Sequence, residues 1–136
     1  METETMSVTK KSEFLRKLIG KLKLLQRTKA DILICLCWGL HESDPEGFKE
    51  LDNLTWPEGC AILLSSNREN IERTNPTAQI KSIPRTEFFI DTGLHNEAMR
   101  KLVEIMMRDM GVESGLINQY KNLFQVKQHG GFTLWP

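Results

Sequence analysis

Ile32-Leu-Ile-Cys-Leu-Cys-Trp38 is the longest strongly apolar run in the chain. Seven apolar residues in a row, closed by Gly39, fit a strand buried on both faces. Read that way, the run is the centre of a sheet. Cys60–Leu64 reads as a second buried strand, Gln79–Ile83 alternates as a third, and Glu87–Asp91 carries Phe88-Phe89-Ile90 in a fourth. Pro84 stands between the last two and places a break or a sheet edge there. The run is far short of the roughly 20 residues that cross a bilayer.

Helical patterns flank these segments. From Ser12 to Arg27, Phe14, Leu15, Leu18, Ile19, Leu22 and Leu25 recur at spacings of three and four. They cover about 140° of a helical wheel. Arg16, Lys17 and Lys23 fall opposite, Lys21 lies at the border, and Leu24 points toward the polar side. Ser12 offers an N-cap, and Gly20 weakens the middle by about 1 kcal/mol relative to Ala. Leu94–Met110 is the clearest helix: Ala98, Met99, Leu102, Val103, Ile105, Met106 and Met110 share one arc. Glu97 and Glu104 stand four residues before Lys101 and Arg108, and Gly111 supplies the cap. Short helical turns are expected at Phe48–Leu54 and Arg68–Arg73, and a last helix at Leu116–Phe124. Phe132–Pro136 reads as a terminal strand or a docked tail.

This order predicts an α/β or α+β fold, a small three- to four-stranded sheet flanked by helices, with an N-terminal basic amphipathic helix. Residues 1–30 form the tail and that helix, and 31–136 a single compact domain. A chain of 136 residues is long enough to bury one core without staples.

Lys and Arg equal Asp and Glu at 18 each, yet the charges are sorted along the chain. Residues 1–30 hold eight basic and three acidic residues; residues 31–60 hold one basic and seven acidic. The basic block is the amphipathic helix, a combination that suits an anionic surface or an acidic partner. Cys35, Cys37 and Cys60 are odd in number and two of them sit in an apolar run, which suits buried reduced thiols in a cytosolic or nuclear setting. Glu2, Glu4 and the interrupted apolar positions of the N-terminus are unlike a secretory signal.

Few motifs suggest chemistry. Asp91-Thr92-Gly93 after Phe88-Phe89-Ile90 resembles the active-site triplet of retroviral-type aspartic proteases, in which paired aspartates activate water. The resemblance covers about six residues and ends where a helix begins instead of strands and a flap. The alternative is a strand end and helix start, with Asp91 or Thr92 near the cap. Cys35, Cys37, His41 and Cys60 lack the usual zinc spacings, so no metal is expected. Cys60 with His41 or His95 has the residue types of a nucleophile and base but no Gly-rich oxyanion segment. Asp44 or Asp52 with Glu58 and Lys81 resembles metal nucleases only loosely, because Gln79 stands where an acid is needed.

The expected function is therefore a non-enzymatic binding or assembly domain with no cofactor. Arg16, Lys17, Lys21, Lys23, Arg27 and Lys29 would supply charge, and Phe14, Leu18 and Leu22 docking or insertion. The partner would be an anionic membrane surface or an acidic protein, in a cytoplasmic setting that extends to the membrane surface. The layout is similar to that of small viral matrix and accessory proteins. The alternatives are nonspecific nucleic-acid binding, and a small hydrolase using Asp91 or Cys60 with a histidine. The acidic 42–58 segment could also mask the helix, and a sheet edge or the Phe132–Trp135 tail could support a homo-oligomer.

Overall fold

The computed structural model describes residues 8–24, 28–59 and 61–124. The fold is α+β. Six helices, α1 (Val8–Leu24), α2 (Lys29–Ser43), α3 (Pro45–Lys49), α4 (Arg68–Thr74), α5 (Asn96–Asp109) and α6 (Ser114–Lys121), accompany strands β1 (Leu54–Thr55), β2 (Ile62–Ser65), β3 (Ile80–Ser82) and β4 (Phe89–Asp91). The strands form one antiparallel sheet in the order β1-β2-β4-β3. Leu64 pairs with Ile90 at its centre, and Lys81 pairs with Ile90 on the β3 side. No described helix is long and apolar enough to cross a membrane.

The Ile32–Trp38 run is a helix, not a strand. It lies inside the 15-residue α2, whose N-cap Thr28 accepts a hydrogen bond from the Asp31 amide at 3.1 Å. Ile32, Leu33, Leu36, Cys37 and Leu40 are buried, and Ile34, Cys35 and Trp38 pack beside them, half-buried. A helix covered on most sides shows the same unbroken apolar run as a doubly buried strand, so periodicity does not separate the two. The Thr28-x-x-Asp31 pattern ahead of the run was the available signal. The fourth strand is instead Leu54–Thr55, too short to show alternation.

The other elements lie close to expectation. β3 and β4 fall within two of the remaining strand segments, β2 runs one residue past the third to Ser65, and Pro84 sits in the turn joining β3 to β4. α5 ends where Gly111 adopts φ +80°, a left-handed conformation that costs glycine least. There the Gly111 and Val112 amides donate to the carbonyls of Arg108 and Met107, both at 3.0 Å. α1 begins at Val8, ahead of the expected Ser12 cap. The short helix expected at Phe48–Leu54 forms earlier, at Pro45–Lys49, directly after α2 and with Asp44 as its cap. Phe132–Pro136 lies outside the described residues.

One core joins these parts. Leu15, Ile19 and Leu22 of α1 are buried together with residues of α2, α5, α6 and the sheet. α1 packs on α2 and α6, and α5 on α6. The Tyr120 hydroxyl donates to the Leu15 carbonyl and pins α6 to α1 inside the molecule. At the crossing with α2, a Cβ on Gly39 would lie 2.3 Å from Leu18 Cδ2, so glycine lets the two helices approach.

Candidate functional site: the outer face of the N-terminal helix

α1 carries six basic residues and one acid between Val8 and Leu24. Its wheel fixes where they go. Leu15, Ile19 and Leu22 are buried, Phe14 and Leu18 are half-buried against the core, and Lys10, Glu13, Arg16, Lys17, Gly20, Lys21, Lys23 and Leu24 are exposed. Phe14, Leu18 and Leu22 therefore already have an intramolecular partner. Phe14 stacks at a tilt on Trp38 with ring centroids 6.4 Å apart. Leu24 points outward as the wheel predicts, at 83% exposure.

The cations divide into two groups. Lys11 Nζ is drawn inward, 3.0 Å from Asp44 Oδ2 and 3.4 Å from the Met110 carbonyl. Arg16 pairs with Glu113, and Lys29, at the start of α2, donates to Asn96. Lys17, Lys21 and Lys23 make no ion pair or hydrogen bond with another described residue. Arg27 lies outside the described residues. Lys17 and Lys21 stand about one turn apart on the same side of the helix, and Lys17 to Lys23 covers about 9 Å of its axis. Other exposed cations without a described partner are scattered: Lys49 on α3, Arg73 on α4, Lys81 on β3 and Arg85 in the following turn. Three within seven residues occur on α1 alone among the described helices.

The acidic block meets this helix mainly through Asp44. Its Oδ2 takes Lys11, while Oδ1 accepts from the Gly47 amide at 2.9 Å and caps α3. That contact uses the inner edge of α1 and leaves Lys17, Lys21 and Lys23 uncovered.

A cleft elsewhere on the surface holds more charge but balances it. Trp56, Glu58, His95, Glu97, Ala98, Arg100, Lys101, Glu104 and Lys121 line an open cleft of about 560 Å³. Lys101 sits 5.7 Å from the centre of the Trp56 ring and 3.9 Å from Glu58. Glu104 lies 2.6 Å from both Arg108 and Lys121. The hydrogen bond from Lys121, aided by Arg108, holds the Glu104 carboxyl below its usual range. Arg100 donates to the Lys121 carbonyl at 2.8 Å. Cations so engaged leave little net field for an anion.

The chemical candidates among the described residues make structural contacts. Asp91 is 2% exposed, and its Oδ1 accepts from the Gln79 amide at 3.1 Å and the Gly93 amide at 2.8 Å. Thr92 donates through its amide and hydroxyl to the Gln79 carbonyl. The triplet thus fastens the end of β4 to the start of β3. Cys37 is fully buried, and burial pushes its thiol well above the usual range, away from the thiolate needed for nucleophilic or metal chemistry. His41 packs edge-on against Phe48 and Phe88, at 5.5 and 6.2 Å between ring centroids. His95 caps α5 by accepting from the Ala98 amide at 3.2 Å. Cys60 and His129 lie outside the described residues. Among the described residues, no group of three or more His, Cys, Asp or Glu is placed to hold a metal ion.

No protein-family model matches the chain, and no curated protein does so by sequence. Among solved structures, the crystal structure of V. cholerae SeqA is similar, with a TM-score of 0.73 over 84% of this chain and 97% of that chain. The two sequences are 22% identical over the match, so the likeness is one of fold.

Proposed function

We propose that this protein is a non-enzymatic binding domain whose α1 outer face engages an extended polyanion, the phosphate backbone of a nucleic acid, through charge. One observation carries the reading. Lys17, Lys21 and Lys23 face solvent without a described partner, while Phe14, Leu15, Leu18, Ile19 and Leu22 are turned into the molecule. Membrane insertion needs the apolar arc as well as the charges. A phosphate backbone needs only the charges, and the stretch from Lys17 to Lys23 rises about 9 Å, past about two or three phosphates of one strand. Base edges are not read by lysines on a flat face, so the binding is indifferent to sequence.

An anionic membrane surface or an acidic protein is the second reading, favoured by exposed Leu24 beside Lys21 and Lys23. A single titration series separates these partners. Fluorescence anisotropy with a 20-base-pair duplex and co-sedimentation with phosphatidylserine vesicles are run on the natural chain and on K17E/K21E/K23E. The reading expects duplex binding that the triple variant loses by at least tenfold, with weak vesicle pelleting. Vesicle binding without duplex binding would transfer the face to a membrane. Equal duplex binding by both chains would remove α1 from the interface.

A further inference from the structure

Arg85 differs from the other scattered cations in its backbone. In the turn Ile83-Pro84-Arg85-Thr86 the Thr86 amide donates to the Ile83 carbonyl at 3.2 Å, and Arg85 takes φ +64°. Proline second and a positive φ third are the pattern of a type II turn, whose third position favours glycine or asparagine. An arginine held there is strained by its Cβ. Neighbouring bonds enforce the turn: the Thr86 hydroxyl donates to the Ile83 carbonyl at 2.8 Å, and the Ile83 amide to the Phe88 carbonyl at 2.9 Å. The Arg85 side chain is exposed and makes no ion pair or hydrogen bond with another described residue. No polar contact within the described fold therefore accounts for an arginine at this position.

Its place on the surface does. Arg85 and Pro84 face Ile34, Cys35 and Trp38 of α2 across a groove of about 350 Å³ whose lining holds no acid. Trp38 carries Phe14 of α1 on its ring, with centroids 6.4 Å apart. Lys17 and Lys21 follow Phe14 at i+3 and i+7, the spacing of one helix face, and both are exposed. Lys17, Lys21, the Phe14–Trp38 pair and Arg85 thus make one continuous stretch of surface across α1, α2 and the β3–β4 turn. Asp31 and Glu42 stand toward the two ends of α2, so the crossing at Trp38 lies between them. A separate concavity on Arg85 takes in His41, Lys49, Glu46 and Glu87, and its two carboxylates offset its cations. The favourable side for a phosphate is the Trp38 side.

We propose that Arg85 is a further phosphate contact for the polyanion held by α1, placed across Trp38 from Lys17 and Lys21; this rests on the reading of α1 given above. The guanidinium stays charged at any working pH, and its fork can take two phosphate oxygens at once. The test sets fold against binding. Anisotropy with the 20-base-pair duplex over a salt series, and thermal unfolding beside it, are run on the natural chain, R85G, R85K and K17E/K21E/K23E. R85G removes the charge and relieves the turn. It should melt above the natural chain, bind the duplex about eightfold more weakly at 0.1 M salt, and lower the slope of log K against log salt by about 0.9. R85K keeps the charge and should keep the slope. An unchanged slope for R85G beside a shallower one for K17E/K21E/K23E would overturn the proposal and leave the α1 reading standing. Equal slopes for all four chains, or no duplex binding by the natural chain, would remove both. A slope lost equally in R85G and R85K would also overturn the proposal, tracing the effect to the turn and not to the charge. If R85G melts below the natural chain, R85N carries the same readings, because asparagine also adopts a positive φ.

Discussion

α1 and α5 are both amphipathic helices with a buried stripe and a charged back, yet their charges have different fates. On α5, Arg108 lies 2.6 Å from Glu104, Lys101 lies 3.9 Å from Glu58 and over Trp56, and Arg100 holds the Lys121 carbonyl. On α1, Lys11 and Arg16 are engaged, but Lys17, Lys21 and Lys23 have no described partner. Glu104 neutralises Arg108 from within α5 at i,i+4, and Glu58 meets Lys101 from outside the helix. α1 has only Glu13, so its outer face keeps a surplus. Amphipathicity alone therefore says nothing about partners; the count of unmatched charges on the exposed arc does.

Substitutions can break or sharpen this contrast. The largest effect belongs to the buried stripes, where the two helices should behave alike. Leu15→Ala on α1 and Leu102→Ala on α5, both fully buried, should each cost about 2–5 kcal/mol in chemical denaturation. A cost near zero at Leu15 alone would make α1 a loosely attached arm. Next comes Tyr120→Phe, which removes the hydroxyl that pins α6 to α1 and should cost about 1 kcal/mol. Burial raises the Tyr120 pKa, so the neutral phenol is favoured in the fold. Its contribution is full below the ordinary tyrosine value near 10 and fades as the pH rises beyond it, so wild type and Tyr120→Phe should converge in strong alkali.

Gly20→Ala should act in the opposite direction. Nothing lies within 4 Å of a Cβ built there, so the gain in helix propensity, up to about 1 kcal/mol, is unopposed. Thermal unfolding checks the sign, and unchanged duplex binding would show that the face acts through its lysines. The smallest effect is expected at Glu104→Gln on α5. The Glu104 pKa is lowered, so its contribution is present above the ordinary glutamate value near 4.3 and is lost as the pH falls through the lowered value. Denaturation at neutral pH and at pH 3 should show the gap between variant and wild type narrowing on the acid side.

The sequence made α1 and α5 readable because both repeat an apolar stripe at helical spacing, and even the outward Leu24 follows from the wheel. It misled at Ile32–Trp38, where burial on most sides erases the period. Thr28 and Asp31 held the correction, since a cap pattern before an apolar run marks a helix start. Leu54–Thr55 is a strand only because β2 pairs with it, which two residues cannot announce. The site was half legible. The lysines of the outer face stand out in the charge pattern, but which cations keep a partner depends on residues far along the chain. Arg16 meets Glu113 and Lys11 meets Asp44 across separations that only the fold creates. The Asp91 triplet shows the converse: a motif with catalytic associations whose side chains are occupied in joining two strands.

The most direct test of the α1 reading is the salt dependence of duplex binding, taken as log K against log salt concentration for the natural chain and K17E/K21E/K23E. Each lost phosphate contact should lower the magnitude of the slope by about 0.9, so the triple variant should be shallower by roughly 2 to 3. Parallel lines for the two proteins would contradict the account and place the phosphate contacts elsewhere on the molecule.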